Sequence, residues 1–260
     1  YSSQGTHNVF VANDGIVYAL GSNGNGQLGD GTTLAQLSPV KVLKGAYNGT
    51  TYLGDNPANP IVAVGAGTNH SIALAKDGTV FTFGGNNWGA LGDSTTAFRT
   101  TPVRVLKGAY AGTAFLGDNP TNPIVSVSAG SGYSAALALD GTIYAFGVNN
   151  YGNLGDSTTV NKTTPVRVIK GMYAGTAYLG DNPSNPMIDV VAAGDYTAAL
   201  GADGTIYSFG RNSVGNLGDN TLLQRFAPVR ALKGAYTGTS HLGDNPSNPI
   251  ISIACGFGHT

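Results

Sequence analysis

The chain has 260 residues, of which only 10% are charged and 40 are glycine, with a formal net charge of −1. Average soluble proteins carry about 25% charged residues and about 7% glycine, so this is a turn-rich chain; all 14 acidic residues are aspartate, and few stretches set strong helix formers at a 3.6-residue period, which excludes long helices. Near-neutral charge without a basic cluster argues against a nucleic-acid partner, no apolar run approaches the ~18 residues of a membrane-spanning helix, and a single cysteine, Cys255, excludes an intrachain disulfide framework.

A period of 63 residues governs everything else. Asp-Gly pairs recur at Asp14, Asp77, Asp140 and Asp203, and the remaining aspartates fall in register at Asp30/Asp93/Asp156/Asp219 and Asp55/Asp118/Asp181/Asp244, leaving only Asp189 and Asp195 outside the pattern. The units run approximately 1–60, 61–123, 124–186 and 187–249, and 250–260 begins a further one, all in one repeat domain. The chain starts at Tyr1, without an initiator methionine or signal peptide, and reads as processed or excised.

Within the second unit, taken in chain order, NPIVAVGAG is a short strand, and NHSIALAKDGTVFTFGG is two strands joined at Asp77-Gly78. An Asp-Gly pair between apolar strands predicts a type I′ hairpin, whose two central residues take positive φ. A loop from Gly84 to Pro102 follows, then the strand PVRVL, whose proline suits a sheet edge. Four strands per unit is the arithmetic of a propeller blade. The remainder, KGAYAGTAFLGDNPTNP, reads as an extra hairpin or ordered loop on the blade's outer edge.

The segments GSNGNGQLGDGTT, GGNNWGALGDSTT, GVNNYGNLGDSTT and GRNSVGNLGDNTL resemble the G-x-N-x-x-G-Q-L-G signature of the regulator of chromosome condensation repeat family, preceded by its H-x-x-A-L-x-x-D-G-x-V-[YF] strand pair. The resemblance covers the whole chain and implies an all-β fold of propeller-type blades. The unit is longer than the family's usual blade, through the KGAY…DNPxNP segment, as in bacterial members. The family's rings resemble seven-bladed propellers, whereas this chain holds four units. His7 and His259 share one repeat phase, so the two ends duplicate each other. The expectation is a partial propeller that continues into a longer array or joins other copies, rather than a closed four-bladed ring.

Most repeat-locked residues read as structural. His7, His70 and His259 share their position with Tyr133 and Tyr196, an exchange that a catalytic or metal-bound imidazole would not tolerate; a half-buried ring bonded to a neighbouring blade would. Gly21, Gly84, Gly147 and Gly210 are expected at positive φ, with the asparagine two residues later bridging the loop. Lys41/Arg104/Arg167/Arg230 and Lys44/Lys107/Lys170/Lys233 alternate with apolar residues and read as the solvent face of an edge strand. The four GDNPxNP loops set Asp55, Asp118, Asp181 and Asp244 beside two asparagines each, hard oxygen donors that make them candidate Ca²⁺ sites, although one carboxylate per loop is a low ligand charge and Asx turns use the same residues. No other cofactor is expected. Sequons at Asn48, Asn69 and Asn161 do not recur in the sister units, and coincidence accounts for them.

Without glutamate, and with no nucleophile, base and orienter set, the chain is not expected to be an enzyme. The positions that vary between units are the candidate partner site: Asn25, Trp88, Tyr151 and Val214 in one column, and in another the triplets that include Phe98, Arg99, Lys162 and Arg225. They belong to one loop of each blade and should share one rim. The expected role is a structural or protein-interaction scaffold with a protein partner or self-association, within a larger assembly or fibre. Low lysine and abundant Asn, Thr, Gly and Tyr fit the bacterial cell surface or extracellular space. The family's range adds two alternatives, a propeller-type inhibitor of an enzyme and a guanine-nucleotide exchange factor for a small GTPase. Photoreception in the family depends on a cluster of tryptophans, and Trp88 is alone.

Overall fold

In the computed structural model, which describes residues 5–256, each unit folds as an antiparallel meander, and the described residues contain no helix. The first unit holds β1 (His7–Val11), β2 (Val17–Gly21) and β3 (Gln36–Lys41). The second holds β4 (Ile61–Ala66), β5 (His70–Ala75), β6 (Val80–Gly84) and β7 (Arg99–Arg104). The third holds β8 (Ile124–Ala129), β9 (Tyr133–Ala138), β10 (Ile143–Gly147) and β11 (Lys162–Arg167). The fourth holds β12 (Met187–Ala193), β13 (Tyr196–Gly201), β14 (Ile206–Gly210) and β15 (Arg225–Arg230). Strand order in each sheet follows chain order, in three strands for the first and four for each of the others. His259, with residues 1–4 and 257–260, lies outside the described residues.

The hairpins stand where the Asp-Gly pairs predict, but the turn differs. Gly78 takes φ 93° while Asp77 stays out of the positive-φ region. Gly78 N–H donates to Ala75 O, and Ala75 N–H to Thr79 O. This is a type I turn closed by a left-handed glycine, a three-residue loop rather than the two-residue type I′. Asp77 serves it as an Asx turn, accepting the Thr79 N–H at 2.9 Å.

The central strands of the second and third blades are buried on both faces because each of those sheets is sandwiched between two others. On β5, Ile72 and Leu74 face the third blade, whereas Ala73 and Ala75 face the first. That small face leaves room for Phe81 and Phe83 of β6 to reach the first blade's Leu28, Val42 and Tyr47. The same aromatic transfer follows at each seam. Tyr47 meets Phe81, Tyr110 meets Tyr144 and Tyr173 meets Tyr207 edge to face, at centroid distances of 5.4 to 5.5 Å. Phe83, Phe146 and Phe209 press on Gly29, Gly92 and Gly155, where a Cβ would come within 2.7 to 2.9 Å of the ring, so only glycine admits the approach. Backbone amides complete the seam: Gly31, Ser94 and Ser157 donate to Thr100, Thr163 and Phe226 carbonyls at 2.9 Å.

The histidines bridge the seam as well, and they are fully buried rather than half-buried. His7 Nε2 lies 2.9 Å from Ser71 Oγ, and His70 Nε2 lies 3.0 Å from Ser134 Oγ. Ser71 gives its single proton to Gln27 O at 2.8 Å, so His7 donates through Nε2. Tyr133 makes the equivalent bridge to Tyr196 O and Thr197 Oγ1. Sheets therefore pack in chain order, first on second, second on third, third on fourth, and the four blades form an open arc.

Two locked features depart from the sequence reading. Arg104 does not face solvent along an edge. Its guanidinium lies over the Phe81 and Phe115 rings, 6.0 and 5.1 Å from their centroids, and Arg167 lies likewise over Tyr144 and Tyr178. These cations pin the long inserted segment to the blade, together with the Leu106–Phe115 bridge and the bond from Tyr110 OH to Asn122 O at 2.5 Å. The segment also sits at the hairpin end of the blades rather than on the outer edge, where Asn122 Nδ2 donates to Asp140 Oδ2 of the next hairpin at 2.8 Å.

Burial holds the His7 imidazole down at about 4 and that of His70 at about 3, against an ordinary 6.5. The unfolded chain therefore binds more protons below pH 6.5, and stability falls as pH drops from 6.5 through 4, by on the order of 3 kcal/mol for His7. Urea unfolding across that window is expected to show this loss in the native chain. A His7→Tyr/His70→Tyr variant, which copies Tyr133 and Tyr196, is expected to lose much less, the remainder near pH 4 coming from aspartates such as Asp55 that are held below the ordinary carboxylate value.

Candidate interaction rim

Register decides which loops share an end of the blade. His70 pairs with Gly84 and Gly84 with Arg99 at one end, while Leu74–Val80 and Phe81–Arg104 pairs mark the other. The loop after β6 and the β4–β5 connection therefore form one rim, and the Asp-Gly hairpins and inserted segments form the opposite one. The same holds in the third and fourth blades.

Each rim loop is built around one buried asparagine. The chain leaves β6 through Gly84 at φ 104°, where a Cβ would meet Asn69 O at 2.7 Å. Asn86 then turns inward, fully buried. Its Nδ2 donates to Asp93 Oδ1, Thr95 O and Ala97 O at 3.0 to 3.1 Å, and its Oδ1 accepts the Leu91 N–H at 2.9 Å. Asp93 is fixed in turn by Thr95 and by Arg99. Burial pushes the Asp93 carboxyl up, but hydrogen bonds from Thr95 and Arg99 outweigh it and leave the pKa below the ordinary value. Asn23, Asn149 and Asn212 repeat the arrangement.

On this scaffold the predicted partner residues divide into two groups. Arg99, Lys162 and Arg225 are not free hot spots: they pair with Asp93, Asp156 and Asp219 at 2.6, 3.2 and 2.6 Å, and Gln36 fills the role in the first blade. Tyr151 is partly covered by Arg211, whose guanidinium lies 5.2 Å from the ring centroid while bonded to Asp195. The other group is presented outward. Trp88 is 48% exposed; one ring edge covers Gly132 of the next blade beside a hollow of about 60 Å³ lined by Asn25, Asn69 and Ser131, and the rest faces solvent. Phe98 is 53% and Val214 70% exposed. Leu34, Val160, Leu222 and Leu223 join them as exposed apolar residues. Leu222 was not singled out from sequence, although it stands where the other units have Thr33, Thr96 and Thr159, and that lone apolar replacement was the available signal.

The candidate calcium loops are geometrically spent. Asp55 accepts the N–H groups of Thr50, Thr51 and Tyr52 and the Thr50 hydroxyl at 2.6 to 2.9 Å, and Asp118, Asp181 and Asp244 do the same. Burial pushes the Asp55 carboxyl up, and these bonds together outweigh it and pull it down to about 2. Both oxygens point into their own turn, and among the described residues no three metal-capable side chains converge. The four aspartates act as turn locks, with both oxygens taken by groups of their own loop.

Replacing Asn86 by alanine leaves the buried Leu91 amide without its acceptor, at about 1–3 kcal/mol for an unsatisfied group. Asn86→Ala is expected to lower the urea midpoint markedly, whereas Trp88→Ala is expected to leave it nearly unchanged.

Comparison with known proteins places this architecture. The regulator of chromosome condensation (RCC1) repeat matches residues 14–74, 77–137, 140–200 and 203–260. The human probable E3 ubiquitin-protein ligase HERC4 is 30% identical over 98% of this chain and 25% of its own length. The Arabidopsis thaliana ultraviolet-B receptor UVR8 is 27% identical over 98% of this chain and 48% of its own. Human WBSCR16 superposes with a TM-score of 0.70 at 23% identity, over 88% of this chain and 51% of that one. Yeast RCC1 (Prp20), in its complex with Kap60, gives 0.64 at 20% identity, over 88% and 48%. The chain thus spans about half or less of the length of these relatives. Four successive repeat matches, on four blades with the fold of solved RCC1 propellers, show that the chain belongs to the regulator of chromosome condensation repeat family.

Proposed function

We propose that this chain is a protein-interaction scaffold rather than a catalyst, and that its partner docks on the rim formed by the loops after β2, β6, β10 and β14. The observation that carries this reading is the contrast within each unit. Asparagine, aspartate and glycine of the loop are locked to the frame, while Trp88, Phe98, Val160, Val214 and Leu223 differ between units and stand exposed at one end. Large apolar side chains without a packing role favour partner contact, since aromatic anchors concentrate binding energy at interfaces. Yeast RCC1 (Prp20) forms a complex with Kap60 and binds Gsp1p and histones, which supports a protein partner by analogy. The absence of glutamate and the scarcity of lysine support an extracellular or cell-surface setting of bacterial type, with the chain as one element of a larger assembly.

A photo-crosslinking residue at Val214 or Phe98, compared with one at Thr121 on the opposite rim, tests the reading in extracts of the native source. A discrete protein adduct is expected from the first two positions and not from Thr121, and Trp88→Ala is expected to weaken that partner about tenfold or more. Equal adducts from both rims, or none, would contradict it. A small GTPase as the adduct would turn the reading toward nucleotide exchange, and an enzyme toward inhibition.

A further inference from the structure

The hollow beside Trp88 owes its existence to two small departures from the repeat. Its walls come from the loops after β2 and β6 and from the β4–β5 and β8–β9 connections, so they belong to seams that the chain completes by itself, among its first three blades. Asn25 stands there where the other units have Trp88, Tyr151 and Val214, and Gly85 stands where they have Ser22, Val148 and Arg211. A Cβ on Gly85 would lie 3.2 Å from Asn69 Cβ and 3.5 Å from Asn25 Cβ. The side chain missing at Gly85 is thus the space between two amides. One unit further on, Trp88 itself takes the place of Asn25, with its ring edge over Gly132.

The polar groups around this space are ones the fold leaves unspent. Asn23 and Asn86 give their amides to their own loops, whereas the side chains of Asn25, Asn69 and Asn87 make no hydrogen bond among the described residues. Two buried atoms of the lining, Thr68 Oγ1 and His70 Nδ1, have no partner there either. Ser134 gives its proton to Ala90 O, so His70 Nε2 donates to Ser134 Oγ and Nδ1 is left as a bare acceptor. The lining contains no aspartate, lysine or arginine. Amides both donate and accept, and a bare ring nitrogen only accepts, so the set suits a neutral ligand with hydroxyl or amide groups and offers an anion no cation. Trp88 adds a flat apolar face, covered along one edge and otherwise open to solvent.

We propose that this hollow binds a neutral saccharide. A pyranose presents an apolar C–H face and a ring of hydroxyl groups, which match the Trp88 face and the amides beside it. The hollow of about 60 Å³ has the volume of about two water molecules, which admits an exocyclic hydroxymethyl or acetamido group and not the sugar ring. The ring therefore lies on Trp88, and its substituent enters between Asn25, Asn69 and Ser131. The site goes beyond the protein interface proposed for this rim and shares only Trp88 with it.

Trp88 is the only tryptophan, so tryptophan emission reports on this site alone. The chain is titrated with the methyl glycosides of glucose, galactose, mannose, N-acetylglucosamine and N-acetylgalactosamine, and with methyl glucuronide, which carries a carboxylate in place of the hydroxymethyl group. At least one of the five neutral glycosides is expected to give a saturable change in emission with a midpoint near ~1 mM, and the glucuronide none. Asn25→Tyr, which copies Tyr151 and fills the hollow, is expected to abolish the response, and Asn69→Ala to weaken it about tenfold. Neither side chain holds a hydrogen bond of the fold among the described residues, so both variants should keep the native melting temperature. No saturable change with any of the five, an equal response to the glucuronide, or a response that survives Asn25→Tyr would overturn the proposal. The crosslinked protein adducts expected at Phe98 and Val214 depend on none of these outcomes.

Discussion

A sheet buried on both sides cannot cover itself, and in this chain each of the first three blades is covered by aromatic side chains that belong to the next one. Phe83, Phe146 and Phe209 press against glycines of the preceding blade through the Cδ2 and Cε2 side of the ring, and a Cβ there would clash. Much follows from that contact. Alanines on one face of each central strand make space for it. Loop amides cross to the neighbouring outer strand because the blades are that close. The buried histidine or tyrosine bridges span 64 residues of sequence to tie the same surfaces together at the rim end. Stability in such an array is a sum over seams more than over blades, as in other stacked repeats.

The same division of labour explains why the rim is free to vary. The loop that carries Trp88 is held by Asn86, Asp93 and Leu91, none of which reaches outward. Its shape therefore does not depend on positions 88, 97 or 98, and those side chains can change from unit to unit without moving the backbone. Arg99 shows the limit of that freedom: its position closes an ion pair with Asp93, Arg225 does the same with Asp219, and Gln36 and Lys162 satisfy the equivalent Asp30 and Asp156 in their own ways.

How much was legible in the sequence follows from how local each interaction is. The hairpins, the positive-φ glycines and the bridging asparagines were readable because donor and acceptor lie within about a dozen residues of each other, and repetition removed chance. The turn type was not, because an Asp-Gly pair serves a type I′ turn or a type I turn with a left-handed glycine, and the register of Ala75 with Thr79 chooses between them. Arg104 looked like an edge cation because alternation shows which face a residue takes but not what covers that face; Phe115 covers it from the inserted segment. Asp55 looked like a ligand because composition counts oxygens and cannot count the N–H groups already pointed at them. The histidines were correctly assigned to a neighbouring blade but placed half in water, because burial at that site is imposed by a blade 63 residues away in sequence.

Native-state hydrogen exchange tests most directly whether the seams carry the fold. The amides of Ser94, Ser157, Ala109 and Met172 lie in loops, where exchange is ordinarily fast, yet each donates across a seam at 2.8 to 2.9 Å. They are expected to exchange only with global unfolding, while Asn220 and Ala235, their counterparts on the fourth blade, whose amides meet no neighbouring blade among the described residues, exchange orders of magnitude faster. Similar rates at all six positions would contradict the account, because the loop amides would then owe their behaviour to their own blade and nothing to the neighbour.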